Sequence, residues 1–298
     1  MWGCSPRASR VRALGVSVPF VTRFAPSPTG LLHRGHAYSA LLAYEAAQAA
    51  GGTFLLRIED IDATRARAEF EAAIFEDLAW LGITWPTPVR RQSEHLEDYE
   101  AALVRLAAEG LVYRCFRTRK EVAQAMASAP HGAMDTFRSA PLPADEETQR
   151  LDKGEPFAWR LSLDAAQARL GGFEHLTFHE EGEGPDGERG LIRARPELGG
   201  DVVLARKDVG VAYHLAVVLD DALQGVTHVI RGCDLFEAAH VQRLLQALLG
   251  LPTPVYRHHR LLAGPDGKRY AKRDRAETLQ ALRAAGLTPE QLRQEMGL

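Results

Sequence analysis

Apolar and polar positions alternate in blocks whose spacing changes along the chain. A short apolar run from Val18 to Phe24 reads as a strand, and the Pro-Ser-Pro-Thr-Gly turn after it breaks the pattern. From about Gly35 to Ala50, Ala, Leu and Tyr recur at helical spacing until Gly51-Gly52 ends the run. Thr53 to Asp60 (TFLLRIED) is short and rich in β-formers, which predicts a second strand of a buried sheet. Strand, helix and strand in such close succession predict a parallel βαβ unit. Amphipathic helices are expected at Arg65 to Leu81 and Glu94 to Glu109, with Gly82 and Gly110 as stops.

That alternation breaks at about Leu111. As far as Gly200 the chain is irregular, with Pro-rich and acidic clusters (PLPADEE, HEEGEGPDGERG) between strand-like pieces such as FAWRLSL. This stretch is expected to be an insertion of antiparallel character. DVVLARKD and AYHLAVVLDDAL then read as returning buried strands, followed by VTHVIRG and a helix from Leu235 to Leu249. The expected fold class is α/β: a split Rossmann-like parallel-sheet catalytic domain with an inserted α+β subdomain and a short C-terminal helical segment. In residue numbers this gives an extension, expected to be disordered, over 1–20, catalytic halves at 21–110 and 201–250, the insertion at 111–200, and a basic loop with short helices at 251–298. No internal repeat is evident.

Composition narrows the partners. The chain has 298 residues, 46% hydrophobic and 25% charged, with a net charge of −3, so nucleic-acid contact would have to come from local basic patches. Cys4, Cys115 and Cys233 have no paired spacing, which argues against a disulfide framework and fits a reducing cytoplasm. No apolar run approaches the roughly 18 residues of a membrane span.

Three polar anomalies carry candidate chemistry. RFAPSPTGLLHRGH delivers His33 and His36, around Gly35, to the start of a helix. Unpaired N–H groups and the dipole favour an anion there, although a plain cap with solvated histidines is equally compatible. RIEDID places Arg57, Glu59 and Asp60 at the carboxyl edge of a strand, where open parallel sheets bind ligands, or where Glu59 simply pairs with Arg57 or Arg65. GPDGKRYAKRDRAETL sets Lys268, Arg269, Lys272, Arg273 and Arg275 on a glycine-flanked loop, suited to clamping a polyphosphate or to lying solvated. The Walker pattern does not occur.

With RFAPSPTG, His33-Arg34-Gly35-His36, RIEDID, YHLAVVLDD, VIRGCDL and Arg269-Tyr270-Ala271-Lys272 in this order, the chain resembles class I aminoacyl-tRNA synthetases of the glutamyl branch. The histidine motif looks like their HIGH signature, and residues 269–272 like a degenerate KMSKS loop. Because the chain ends soon after that loop, it resembles most the glutamyl-queuosine tRNA(Asp) synthetases, which lack an anticodon-reading part.

That resemblance implies a cytoplasmic, monomeric ligase. It would activate L-glutamate with ATP and Mg2+, without tRNA, and transfer it to queuosine in the anticodon loop of tRNA(Asp). Alternatives are a truncated enzyme charging tRNA(Glu) and an inactive RNA-binding paralogue. Carried over by motif, Arg23, Ala25, Ser27, Glu59, Tyr213 and Arg231 would bind glutamate, with Arg231 as a bidentate fork for a carboxylate. His33, Gly35, His36 and Lys272 would bind ATP, with His33, His36 and Lys272 serving catalysis. The family's zinc site is expected to be absent, because Arg117 stands where its second cysteine would be, and Cys115 with His131 cannot supply about four ligands. YRCFRTRK (113–120) and YRHHR (256–260) are weak candidates for RNA contact.

Overall fold

The computed structural model describes residues 19–127, 136–206, 210–262 and 277–298. In chain order the elements are β1 (Val21–Phe24), α1 (Arg34–Ala49), β2 (Thr53–Ile58), α2 (Ala68–Trp80), β3 (Arg90–Arg91), α3 (Leu96–Ala108) and β4 (Val112–Cys115). Next come α4 (Arg119–Ala127), α5 (Ala144–Asp152), β5 (Ala158–Leu161), α6 (Leu163–Leu170), β6 (Thr177–Glu180), β7 (Gly190–Arg193), β8 (Val203–Arg206) and β9 (Gly210–Val211). The remainder are α7 (Tyr213–Leu223), β10 (His228–Gly232), α8 (Phe236–Leu249), β11 (Val255–His259), α9 (Leu279–Ala284) and α10 (Pro289–Met296).

One parallel sheet runs β1-β2-β3, and the βαβ unit expected from the apolar blocks is its core, with Val21 opposite Thr53 and Phe24 opposite Leu56. A second sheet has the order β10-β11-β6-β7, parallel except for the terminal hairpin strand β7. The two sheets meet along β1, where Thr227 donates its amide to Val21 O (2.9 Å) and accepts from the Val21 amide on Oγ1 (2.9 Å). Rossmann-like halves distant in sequence are thereby joined edge to edge. The third sheet, β4-β5-β8-β9, is antiparallel throughout.

Residues 111–200 contribute to both regions. β4 and β5 pair with β8 in the antiparallel sheet, whereas the β6–β7 hairpin extends the sheet of β10 and β11. Gly182 lets the chain leave β6 closely: a Cβ there would stand 2.0 Å from the carbonyl oxygen of His258.

One sequence expectation is corrected here. AYHLAVVLDDAL is a helix, α7, and not a buried strand. Its β-branched valines suggested β structure, but Leu215, Ala216, Val217, Val218, Asp220 and Asp221 are all buried, so the segment is apolar nearly all round because it is enclosed. DVVLARKD does supply a strand, β8, but in the antiparallel sheet.

Two apolar clusters hold the layers. One gathers α3, α6, α7, α8 and the strands from β4 onward around Phe178, Leu204, Leu215 and Leu244. The other packs α1, β1, β2 and α2 with the C-terminal helices through Leu41, Leu56, Ile74, Leu279 and Leu292. α9 is tied to the start of α1 by an antiparallel bridge between His33 and Thr278 and by the Leu279 amide on Leu32 O (2.8 Å).

Candidate active site

The start of α1 is built from its histidines. His33 is the N-cap and accepts the Gly35 amide on Nδ1 (3.1 Å), while His36 Nδ1 accepts the His33 amide (3.1 Å). This is a capping box in which imidazoles replace the usual hydroxyl and carboxylate. With Nδ1 accepting, each neutral ring carries its proton on Nε2, and the rings lie 3.8 Å apart between centroids. Gly35 suits this packing, since a Cβ would meet His33 Cε1 at 3.0 Å and the ring would have to give way slightly. The cap engages the Gly35 amide, and the His36 amide bonds His33 O (2.9 Å). The Gly35 and His36 amides are thus already engaged within the cap, whereas the sequence suggested that the amides at this end would be unpaired.

At the carboxyl edges of β1 and β2 stand Arg23 and, just beyond β2, Glu59. Both belong to a buried charge cluster organised by α7. Asp221 accepts from Arg23 Nε (3.0 Å) and Arg57 Nη1 (2.8 Å), and Arg57 Nη2 donates to Glu59 (3.2 Å). Asp220 accepts from Arg90 Nε (2.7 Å), Gln92 (2.8 Å) and the Tyr99 hydroxyl (2.9 Å). Arg57 and Asp220 are fully buried, so each charge depends on the others. Burial pushes the Glu59 carboxyl up, against the pull of the Arg57 and Arg23 guanidinium groups. Arg23 and Arg57 hold Asp221 below the usual carboxylate range despite its burial.

The second sheet supplies Arg231, near the end of β10. Its Nε donates to His258 Nε2 (3.0 Å), Nη1 to Gln242 Oε1 (2.9 Å) and the Tyr213 hydroxyl (3.4 Å), and Nη2 to Leu235 O (3.0 Å). Among the described residues, four of its five N–H donors are thus engaged. The long Tyr213 bond is the weakest. Its release would leave adjacent N–H groups on Nη1 and Nη2 for an incoming carboxylate.

These side chains converge. A cavity of about 490 Å³ is lined by Arg23, Ala25, His33, Gly35, His36, Glu59, Tyr213 and Arg231, together with Asp234, His259, Leu261 and others. Ser27 lines a neighbouring cavity of about 410 Å³, which shares Glu59 and Tyr213 with the first and adds Asp62, Arg65, Gln92 and Arg206. Lys272 and the loop around it lie outside the described residues. The described chain on either side reaches the site, at Leu262 in the cavity wall and at Thr278 against His33.

Several residues of the site escaped the sequence reading. His259 was assigned to a basic RNA patch, yet its Nε2 lies 2.8 Å from Ser39 Oγ and it lines the cavity. In the same patch Tyr256 and His258 are core residues at 1% exposure. Tyr113 of the other patch is also buried, donating to Asp201 (2.8 Å). In both stretches the tyrosine is therefore buried, while Phe116 of the first is only partly so. Cys115 is buried against Tyr113 and Phe137, and His131 lies outside the described residues. Among the described residues no group of three or more His, Cys, Asp or Glu could hold a metal ion.

Comparison with known proteins places this site in a family. Residues 19–298 match the model of the class I tRNA synthetases (E and Q), catalytic domain. The chain is 50% identical over 293 residues to a glutamyl-Q tRNA(Asp) synthetase of Rhodobacter capsulatus, covering 93% of this chain and 100% of that protein. A protein of the same name from Symbiobacterium thermophilum is 43% identical, over 90% of this chain and 82% of the relative. Among solved structures, a glutamate tRNA ligase of Elizabethkingia meningosepticum in complex with its amino acid superposes with a TM-score of 0.69 at 29% identity, over 86% of this chain. The chain spans about half (52%) of that ligase. With the paired histidines, the carboxyl-edge Glu59 and the buried arginine around one cavity, the chain belongs to the class I tRNA synthetases of the E and Q group, as a ligase built on their catalytic domain.

Proposed function

We propose that this protein activates L-glutamate with ATP, accompanied by Mg2+, in the absence of tRNA, and transfers it to queuosine in the anticodon loop of tRNA(Asp). The observation that carries the reading is the set of charged and polar groups around the larger cavity: Arg23 and Arg231, the carboxylates of Glu59 and Asp234, and the imidazoles of His33, His36 and His259. Glutamate has two carboxylates and one ammonium, which Arg231, Arg23 and Glu59 complement. Glutamine would set a neutral amide against Arg231, forgoing a charge-assisted bond of roughly 1.5–3 kcal/mol.

In the first step an oxygen of the glutamate α-carboxylate attacks the α-phosphorus of ATP, and the bond to the bridging oxygen breaks to release pyrophosphate. His33 and His36 would hold phosphate oxygens through Nε2–H, and Lys272 would meet the departing charge. In the second step a hydroxyl of queuosine attacks the glutamyl carbonyl carbon and AMP leaves. No side chain acts as nucleophile; positioning and electrostatic stabilisation supply the rate. The choice of queuosine over the 3′ end of tRNA(Glu) rests on the higher identity to proteins named for glutamyl-Q tRNA(Asp).

Two assays test this. Glutamate-dependent exchange of pyrophosphate into ATP should proceed without tRNA, and mass spectrometry of tRNA(Asp) incubated with protein, ATP and glutamate should find the wobble nucleoside heavier by one glutamyl group. Glutamate found on the 3′ end of tRNA(Glu) instead would select the charging enzyme, and no exchange at all would reject activation.

A further inference from the structure

Behind Arg231 lies a second buried charge with no contact to the cavity. Glu180, the last residue of β6 and 1% exposed, sits beside the core of β11. Its Oε1 accepts two backbone amides, those of His258 (2.8 Å) and Gly182 (2.8 Å), and its Oε2 lies 2.6 Å from His258 Nδ1. On the other edge of the same imidazole, Nε2 is 3.0 Å from Arg231 Nε. Carboxylate, imidazole and guanidinium therefore form one line across three adjacent strands, β6, β11 and β10.

Hydrogen-bond chemistry permits one protonation pattern in this line. Burial would raise the Glu180 carboxyl, but the bonds from His258 and Gly182 hold it below the usual range, so it is ionised and can only accept. His258 Nδ1 must then donate. Arg231 Nε–H is always a donor, so His258 Nε2 must accept. The ring is consequently the neutral Nδ1–H tautomer. We propose that Glu180 and His258 are positioning residues, fixing that tautomer so that Arg231 is held by its Nε edge and presents its Nη edge to the substrate carboxylate. This rests on the reading that Arg231 meets glutamate.

The fold around the line supports it. Gly182 allows β6 to end hard against the His258 backbone, which a Cβ would forbid at 2.0 Å. Tyr256 stacks parallel to His258 at 5.9 Å, and Phe236 packs edge-on at 5.2 Å. The ring is thus fixed in place by packing, and the carboxylate beside it sets where its proton sits.

Glu180→Gln tests the idea without changing shape. The amide oxygen must stay on the two backbone N–H groups, which turns the NH2 toward Nδ1. That nitrogen can then only accept, the ring proton moves to Nε2, and a donor faces Arg231 Nε–H. Flipping the amide instead sets NH2 against two backbone donors. The expected result in pyrophosphate exchange is a KM for glutamate raised tenfold or more, with the KM for ATP within twofold of wild type. Arg231→Gln is measured alongside. If it raises the glutamate KM and Glu180→Gln does not, the positioning role is overturned while the reading of Arg231 stands. If Arg231→Gln leaves the glutamate KM unchanged, the reading itself fails. Should Glu180→Gln not fold, 15N correlation spectra of the wild-type histidine rings at pH 7.5 decide the matter. Nδ1–H at His258 upholds the proposal, and an Nε2–H tautomer or an imidazolium overturns it.

Discussion

At the scale of single residues, hydrogen bonding decides where the protons sit on three histidines. His33 and His36 have their tautomers set by the α1 cap, and His258 has its own set by Glu180. One consequence is a pH dependence. Burial lowers the His258 pKa from 6.5, with Glu180 opposing and Arg231 and His259 adding to the drop. The charged and titratable groups around it are Glu180 from β6, Arg231 from β10, His240 from α8, and Tyr256 and His259 from its own strand. Of these, His240 is itself pushed down to about 4, chiefly by burial. A depressed pKa keeps the ring neutral through the usual histidine range, and protonation at lower pH would set a donor against Arg231 Nε–H. The KM for glutamate in pyrophosphate exchange should accordingly stay flat from pH 8 to 6.5 and climb only below that. A rise centred at 6.5 or above would mean that His258 is charged while Arg231 still does its work.

Among whole elements, α2 carries a strain of a different kind. Asp77 is fully buried, neither carboxylate oxygen has a hydrogen-bond partner, and the nearest cation, Arg283 of α9, is 3.8 Å away. Burial pushes its pKa up to about 6, against Arg283. Since the folded pKa is raised above 3.8, the group's stabilising contribution is fully present below that value and is lost as pH rises through 6. Asp77→Asn should abolish this slope and leave the variant more stable than wild type at pH 7, by up to about 3 kcal/mol. Urea unfolding followed from pH 4 to 7 measures it, and parallel slopes for the two proteins would count against it. The elements themselves were legible to differing degrees. α1, α3 and α8 follow from apolar spacing ended by glycine and β2 from a short run of β-formers after Gly51-Gly52, and their limits agree to within a residue or two of the pattern. α7 was misread because its short apolar run, Leu215 to Leu219, does not by itself separate a buried helix from a buried strand. β3 and β9, at two residues each, are too short to leave a pattern. In the site, Glu59 stands out as a polar residue at the carboxyl edge of a strand, whereas Arg23, Tyr213 and Arg231 are legible only through the family resemblance. Glu180 could not be seen, because its partner lies 78 positions away and only the β6–β11 pairing brings them together.

For the molecule as a whole, two cavities separated by Glu59 and Tyr213 suggest a physical division between the steps of the proposed reaction. The larger is lined by Arg23, Glu59 and Arg231, the groups proposed to meet glutamate. The smaller adds Arg65, whose side chain is 70% exposed and pairs with Asp62 at 2.6 Å. With a net charge of −3 the protein has no overall field to attract RNA, so approach of a polyanion depends on such rim cations. Arg65 lines the smaller cavity and, among the described residues, is not part of the wall of the larger one. Its exposed ion pair is worth at most about 1 kcal/mol to folding. Arg65→Ala should therefore leave tRNA-independent pyrophosphate exchange within about twofold of wild type while raising the KM for tRNA in glutamyl transfer, and it should flatten the salt dependence of that KM by about one unit of slope. An equal fall in both half-reactions would instead place Arg65 in the activation chemistry. A tRNA KM unchanged across salt concentrations would show that the nucleic acid enters from another side, leaving the smaller cavity without a role in transfer.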